Sequence, residues 1–327
     1  MYKPIHELTR LGKIRRGHKY VSRALADYDL EVKTVRFLTE ESNMFFKVVD
    51  QNGNKYAAKL YENFSSNLMD SRLEMYLLNY INDMTQVGVP SPLKNKSGES
   101  ITLLEDSYED VQPRVALYKW FDGQPFEGQE TVEYFYEIGQ VMAQMHQATK
   151  NLSYPKDLKP KKIDKVFYYA GDQEFYKMDK YKSFVSQSFK STMDYLVPIL
   201  DQKLKAYYQE EAILIHADFN PWNIWVDKGI KMIDFEDASL GLPLHDIAIL
   251  LYYYRFHENY ESFKEAFYQG YETLLPLPSF NQEDLDTLMT ARDANFINYI
   301  LVLSDDPSDY IDKQLKRLKT YIDTYLK

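Results

Sequence analysis

The chain of 327 residues contains no cysteine. Disulfides, thiolate nucleophiles and cysteine-ligated zinc or iron–sulfur centres are therefore excluded. Long apolar runs are missing as well. The longest candidate, residues 247–254, falls far short of the ~20 residues a membrane helix needs, and it follows His245 and Asp246. The first residues are partly basic but lack an apolar stretch ending in a small-residue cleavage site, so no secretory signal is read. Positive charge is in deficit: 39 Lys+Arg against 49 Asp+Glu give a formal net charge of −10. Together with a pI near 5.2, this argues against bulk binding to nucleic acid or to an anionic membrane. The expectation is a soluble, cytoplasmic protein.

What is present is ordinary globular material. Hydrophobic residues at 45% and charged residues at 27% exclude a mostly disordered chain. The length exceeds what one core usually serves, which predicts two packed lobes. Aromatics reach 15%, driven by 29 tyrosines, and such rings commonly build half-buried cores.

The opening thirty residues predict short helices. Residues 32–38 and 44–49, rich in β-branched and aromatic side chains, predict two strands joined by the polar turn 39–43. Asn52-Gly53 is a hairpin signal, and 55–61 alternates as a third strand. Tyr56, Ala58 and Leu60 share one face of it; Ala57, Lys59 and Tyr61 share the other. Residues 65–84 predict a helix, broken where Pro90 and Pro92 follow. Two more strands are predicted over 101–104 and 115–120. After Asp122-Gly123 the period changes. Phe135, Ile138, Met142 and Met145 mark an amphipathic helix. The lysine- and proline-rich stretch 150–165 predicts an exposed connector. Helical patterns cover 180–209 and everything from Asp246 onward. The fold class is α+β, a small antiparallel-sheet lobe followed by a larger, mostly helical one.

One stretch carries chemistry: HADFNPWN at 216–223, then MIDFED at 232–237. Two short apolar runs, 213–215 and 230–233, each end at polar residues. His216, Asp218, Asn223 and Asp234 therefore fall at strand ends or in the loop between, where reactive groups are usually displayed. Two carboxylates and a carboxamide offer oxygen ligands only, which suits Mg²⁺ better than zinc or copper.

His-x-Asp-x4-Asn followed by Ile-Asp-Phe resembles the catalytic and metal loops of protein-kinase-like phosphotransferases. HADFNPWN…MIDFEDASLGLPLHDIA is most similar to the aminoglycoside phosphotransferase and choline kinase family, the small-molecule branch of that fold. The resemblance implies a two-lobed protein-kinase-like fold: a nucleotide-binding lobe over 1–116, a hinge over 117–123 and a helical lobe over 124–327. It implies that Lys59 grips nucleotide phosphates and pairs with Glu74, although Asp70 lies one helical turn earlier and could serve instead. Ala57, on the face of Lys59, would leave room for adenine. Leu117, Tyr118, Lys119 and Trp120 match the hinge whose backbone would hold the base. The nucleotide loop has no glycine, so the usual phosphate cover is absent, and Ser42 and Asn43 in its tight turn take that place.

By the same resemblance Asp218 accepts the hydrogen bond of the substrate hydroxyl and aligns it with the γ-phosphate. A carboxylate is a weak base for an alcohol, so its work is mainly positioning, with late proton acceptance. Asn223 and Asp234 would hold Mg²⁺. His216 braces the loop from a buried position. Asp246 sits like an N-cap ahead of a helical stripe, and its family counterpart anchors the catalytic-loop backbone. Glu236 and Asp237 either line the substrate pocket or are exposed turn acids. The implied activity is transfer of the γ-phosphate of Mg·ATP, with GTP left open, to a hydroxyl of a small molecule. Acids around the site favour an amine-bearing acceptor: an aminoglycoside, a choline-like compound, an amino alcohol or homoserine. The alternatives are a protein Ser/Thr kinase and a silent nucleotide-binding pseudokinase. The span from Asp234 to Asp246, 246 − 234 = 12 positions, is short for a peptide platform. The presence of Lys59, Asp218 and Asp234 together speaks against the pseudokinase.

Overall fold

The computed structural model describes residues 3–40, 42–61, 67–106, 112–169, 173–208 and 212–327. In chain order its main elements are α1 (Arg10–Ala24), β1 (Val32–Glu40), β2 (Met44–Asp50), β3 (Lys55–Tyr61), α2 (Leu68–Met84), β4 (Ile101–Leu103), β5 (Arg114–Lys119), β6 (Gln124–Pro125), α3 (Val132–Thr149), β7 (Lys161–Lys162), α4 (Gln187–Tyr208), β8 (Ile213–Ile215), β9 (Ile224–Val226), β10 (Ile230–Met232), β11 (Ser239–Gly241), α5 (Pro243–Tyr254), α6 (Tyr260–Glu272), α7 (Gln282–Leu303) and α8 (Ser308–Tyr325). Among the described residues no helix is long and apolar enough to cross a membrane.

Contacts divide the chain into two compact units. The first comprises Met1–Pro125, Pro155–Lys159 and Trp225–Glu236; the second comprises Phe126–Tyr154, Pro160–Ile224 and Asp237–Lys327. The division is not a single cut, because the chain returns to the first unit at Trp225. There Trp225 and Val226 of β9 pair with Pro125 and Gln124 of β6, and Met232 donates its backbone N–H to the Gly88 carbonyl at 2.9 Å.

In the first unit β1-β2-β3-β5-β4 form an antiparallel sheet. Period-two alternation sorts its side chains. Met44, Phe46, Val48, Ala58, Leu60, Val115 and Leu117 join Tyr20, Val21 and Ala24 of α1 in one buried core. Side chains of this kind contribute about 1.5–3 kcal/mol each when fully buried, so the face against α1 fixes the register of β3. Lys59 and Tyr61 must then project from the opposite face, where α2 supplies Glu74. The start of α2 is set by a capping box: the Asn67 side chain accepts the Asp70 N–H, and Asp70 accepts the Asn67 N–H. The helix therefore begins at Leu68, and residues 65 and 66 of the longer expected helix lie outside the described residues.

The second unit is helical apart from the three-stranded sheet β7-β11-β8. Its helices α3 and α6 approach as closely as backbones can. A Cβ on Gly139 would lie 2.2 Å from the Phe267 carbonyl oxygen, and one on Gly270 would lie 1.9 Å from that of Tyr136. Phe135, Ile138, Met142 and Met145 are all buried on α3. The stretch 150–165 is not simply an exposed connector. Ile163 is buried, and Lys161–Lys162 add a parallel strand to β11. Helix α5 starts at Pro243, three residues before the expected Asp246.

Candidate active site

In the first unit the site is built around a buried lysine. Lys59 is 1% exposed, and its Nζ lies 3.1 and 3.2 Å from the two Glu74 oxygens, 3.3 Å from Asp234 Oδ1 and 2.8 Å from Glu236 Oε2. Burial by itself would favour loss of its proton. The Glu236, Glu74 and Asp234 carboxylates outweigh that and hold its pKa well above the ordinary value, so the ammonium is permanent. Burial raises the pKa of Glu74, and Lys59 only partly offsets this. Glu74 also receives the hydroxyls of Tyr61 at 2.7 Å and Tyr118 at 3.2 Å. Asp70 is occupied by its helix cap, so of the two candidate acids it is Glu74 that reaches the lysine.

Glu236 is not an exposed turn acid. It is 8% exposed, ion-paired with Lys59, and accepts from Asn43 Nδ2 at 2.6 Å. Asn43, just ahead of β2, is thus tied to the segment that follows Asp234; Ser42 is exposed. The hinge candidates Leu117, Tyr118 and Lys119 lie in β5, not in a loop. The Leu117 carbonyl accepts from Leu93, Lys119 donates its N–H to Ser91, and Trp120 donates its N–H to Lys55. Ala57 is half-buried opposite Tyr118.

In the second unit a different cluster holds Asp218. Its Oδ1 lies 2.5 Å from Arg292 Nη2. Its Oδ2 accepts from Asn220 Nδ2 at 2.7 Å and Asn223 Nδ2 at 2.9 Å. The loop itself is clamped by Asp246, which is fully buried. Asp246 Oδ2 accepts the His216 N–H at 3.0 Å, and Oδ1 accepts the Ala217 N–H at 2.7 Å. His146 Nε2 lies 3.2 Å from Oδ2, and its Nδ1 lies 2.9 Å from the Tyr271 hydroxyl. A carboxylate can only accept, so Nε2 carries a proton and donates it to Asp246. Burial would raise the Asp246 pKa, but His146, His216 and the Ala217 amide outweigh it and hold the group below its usual value. Asp246 is therefore not the cap of its helix: it lies in the first turn of α5, and Leu242 occupies the cap position. His216 is buried and accepts the Asp218 N–H on Nδ1 at 3.2 Å. Asp237 is ion-paired with Lys161 at 3.5 Å.

Ala217 at φ 65° and Asp234 at φ 61° are the non-glycine residues with positive φ among the described ones. Each such conformation costs of order 1–3 kcal/mol and persists only where the surroundings enforce it. One immediately precedes Asp218; the other is the proposed metal ligand itself. For Ala217 the enforcing contact is the pair of amides held by Asp246.

The donor set can be tested against a divalent cation. Asn223 donates Nδ2 to the Asp218 carbonyl at 3.0 Å as well as to its carboxylate, which leaves Oδ1 to accept a cation. Asp234 keeps a 39%-exposed side chain. In the first unit Lys59 and Arg114 stand against Asp70, Glu74, Asp234 and Glu236, a surplus of 4 − 2 = 2 negative charges that a divalent cation would balance. Among the described residues no three or more His, Asp or Glu side chains make a metal site by themselves. Mg²⁺ shares its shell with phosphates and waters in such enzymes, so the donors fit.

Two residues, Asn220 and Arg292, escaped the sequence reading, and a third, Glu236, was given another role. Asn220 lies inside the HADFNPWN motif, where its side chain could have been read as an Asx turn: Oδ1 accepts the N–H groups of Trp222 and Asn223 at 2.9 Å each. Glu236 was noticed but not as a partner of Lys59. Arg292, on α7, lies 292 − 218 = 74 positions from Asp218 and has no local motif around it.

The profile of the phosphotransferase enzyme family, APH, matches residues 34–282. No curated protein matches the chain by sequence. Among solved structures, amicoumacin kinase hAmiN in complex with AMP-PNP, Ca²⁺ and Ami superposes with a TM-score of 0.77 at 19% identity, covering 96% of each chain. A microcompartment-associated aminopropanol kinase gives 0.73 at 18%, covering 94% of this chain and 97% of that one. Choline kinase from Cryptosporidium parvum Iowa II gives 0.61 at 12%, covering 95% and 96%. At these identities the likeness establishes the fold.

Proposed function

Because the chain belongs to the phosphotransferase enzyme family, we propose that it transfers the γ-phosphate of ATP to a hydroxyl group of a small molecule, with Asp218 as the residue that receives the hydroxyl. The observation that carries this reading is the Asp218 loop. A left-handed Ala217, two backbone amides clamped by the buried Asp246, and side-chain donors from Asn220 and Asn223 hold one carboxylate in one orientation. Such pre-organisation is what phosphoryl transfer needs, since its loose transition state leaves the protein mainly positioning and charge stabilisation to supply.

Asp218 accepts the hydrogen bond of the acceptor hydroxyl. The hydroxyl oxygen forms its bond to the γ-phosphorus as the bond to the ADP oxygen breaks, and the hydroxyl proton passes late to Asp218. Lys59 offers a permanent cation to the phosphate oxygens, and Glu74 with its two tyrosine partners fixes where that cation sits. Asn223 and Asp234 would hold Mg²⁺, which when bound neutralises phosphate charge. The solved amicoumacin kinase, with AMP-PNP and Ca²⁺ bound, supports an ATP-type donor and a divalent cation; GTP is the donor to test beside it.

An amine-bearing acceptor is a further question. The charge argument for it rested on Asp218, Glu236, Asp237 and several acids downstream of them. The three named acids each sit beside a cation: Arg292, Lys59 and Lys161 respectively. None of the three therefore stands out as a free acid for an ammonium, and the proposal specifies a hydroxyl only.

The test is transfer of labelled γ-phosphate from Mg·ATP or Mg·GTP to homoserine, choline, ethanolamine, methylthioribose, 4-hydroxybutyrate, aminoglycosides and casein. Label on a small molecule, lost by about 10²-fold or more in Asp218→Asn with nucleotide binding retained, is the expected result. Label on casein alone, or nucleotide binding without transfer, overturns the reading in favour of a protein kinase or a pseudokinase.

A further inference from the structure

Among the described residues, three side chains donate to the Asp218 carboxylate, all of them from the second unit. An ionised carboxylate offers about four lone-pair positions, two on each oxygen. On Oδ2, Asn220 Nδ2 at 2.7 Å and Asn223 Nδ2 at 2.9 Å take both. On Oδ1, Arg292 Nη2 at 2.5 Å takes one. The position that remains is therefore on Oδ1, beside the arginine. Neither amide can be turned over to change this. Asn220 Oδ1 accepts the Trp222 and Asn223 N–H groups, and Asn223 Nδ2 also donates to the Asp218 carbonyl. The Asp218 side chain keeps 20% of its surface exposed, so the carboxylate is not sealed in.

Arg292 is itself held. It projects from α7 with its side chain buried. Nη2 carries two N–H groups; one goes to Asp218, and the other to the Tyr253 hydroxyl at 3.2 Å. The guanidinium also lies 4.8 Å from the Phe296 ring and 6.0 Å from that of Tyr253. A planar fork with both donors engaged is fixed in direction as well as in place, which a flexible ammonium is not. Tyr253 is fixed in turn by Trp222, whose ring meets it edge to face at 5.4 Å. Trp222 belongs to the loop that carries Asp218, so the contacts from loop to tyrosine to arginine return to the same loop.

We propose, on the reading of the chain as a small-molecule phosphotransferase, that Arg292 is a positioning residue for the transfer: it holds Asp218 Oδ1, the oxygen that receives the acceptor hydroxyl, and Tyr253 holds Arg292. With Oδ2 alone tied down by two amides, the carboxylate can still pivot about that end. The arginine on Oδ1 removes this freedom, and a charge-assisted bond is roughly twice as strong as a neutral one. Placement is what the loose transition state asks of the residue that receives the hydroxyl, and a misplacement of about 1 Å can cost on the order of 10²-fold in rate. The partners of Arg292, namely Asp218, Tyr253 and Phe296, include no nucleotide-binding candidate. Its loss should therefore slow the transfer and leave nucleotide affinity as it was.

The experiment follows labelled γ-phosphate from Mg·ATP to water, which stands in for the hydroxyl, and to whichever of homoserine, choline, ethanolamine, methylthioribose and 4-hydroxybutyrate the native protein labels. Rates are expressed per Mg·ADP site titrated by calorimetry, so misfolded protein is not counted. Arg292→Gln should lower kcat by about 10²-fold, with the KM for ATP and the Mg·ADP affinity changed less than two-fold. Arg292→Lys, which keeps the charge and loses the planar fork, should lie between Arg292→Gln and the native protein. Tyr253→Phe removes one hydroxyl and should lower kcat three-fold or more; it serves as the second reading where Arg292→Gln folds poorly. Native kcat per site in Arg292→Gln or Tyr253→Phe, or a loss confined to the number of Mg·ADP sites, overturns the inference and leaves the phosphotransferase reading standing. A raised kcat in Arg292→Gln overturns it too, since the arginine would then be competing with the hydroxyl for Oδ1. A native protein that passes label neither to water nor to any acceptor overturns the phosphotransferase reading, and with it the inference that rests on it.

Discussion

Lys59 shows how one side chain can be both structural and functional. A cation 1% exposed among three carboxylates is tolerated because its charge is over-compensated; removing it leaves Glu74 and Glu236 buried without it. Breaking a buried ion pair by deleting one partner costs about 3–5 kcal/mol. Lys59→Met should therefore lower urea-unfolding stability by about that amount and abolish nucleotide binding; unchanged stability would mean the cluster relaxes by protonation. The lysine was legible because β3 alternates cleanly and the Ala-x-Lys pattern is local. Glu74 was legible as one of two candidate acids one helical turn apart, and only the cap at Asn67 removed Asp70 from contention. Arg292 was not legible: one arginine on a long helix has no partner until the chain folds.

At the scale of elements, α3 and α6 depend on two glycines whose missing side chains let backbones touch. Gly139→Ala or Gly270→Ala would drive a methyl group into a carbonyl at about 2 Å. Overpacking a core costs typically 1–3 kcal/mol, and here backbone, not a flexible side chain, must yield. A cost of about 3 kcal/mol is expected, seen as a several-degree fall in the thermal midpoint; a shift under one degree would show that the helices slide apart freely. His146 of α3 helps hold Asp246, so the variants should also reduce turnover if the clamp loosens. The helical period of α3 was plain in the sequence. The strand inside the lysine-rich stretch was not, because two residues of β7 carry no periodicity and are extended only by pairing with β11.

For the whole molecule, His245 sets an acid limit. Its pKa falls from 6.5 to about 4 on burial, so the folded protein holds the ring neutral while the unfolded chain takes a proton. The stability this represents is complete above pH 6.5 and is lost as the pH falls toward 4. At 1.36 kcal/mol per unit, the 6.5 − 4 = 2.5 units amount to about 3 kcal/mol. Below that window Asp246, held under its ordinary 3.8, begins to lose its own contribution. Urea unfolding at pH 7, 5.5 and 4.5 should show the first loss in the native protein and a shallower slope in His245→Gln; equal slopes would assign the loss elsewhere.

The sequence by itself determined the α+β class and the order of sheet and helices, and it singled out Lys59, Asp218, Asn223 and Asp234 as candidates, because these rest on local period, turn chemistry and a motif defined by spacing along the chain. Only the tertiary structure decided which charges meet. It put Glu236 on Lys59, Asp237 on Lys161 and Arg292 on Asp218, pairings that weaken the charge argument from which an amine substrate had been expected. Net charge is a sum over residues, readable from composition; ion pairing falls off over a few ångströms and is settled by packing, which brings together residues that composition cannot relate.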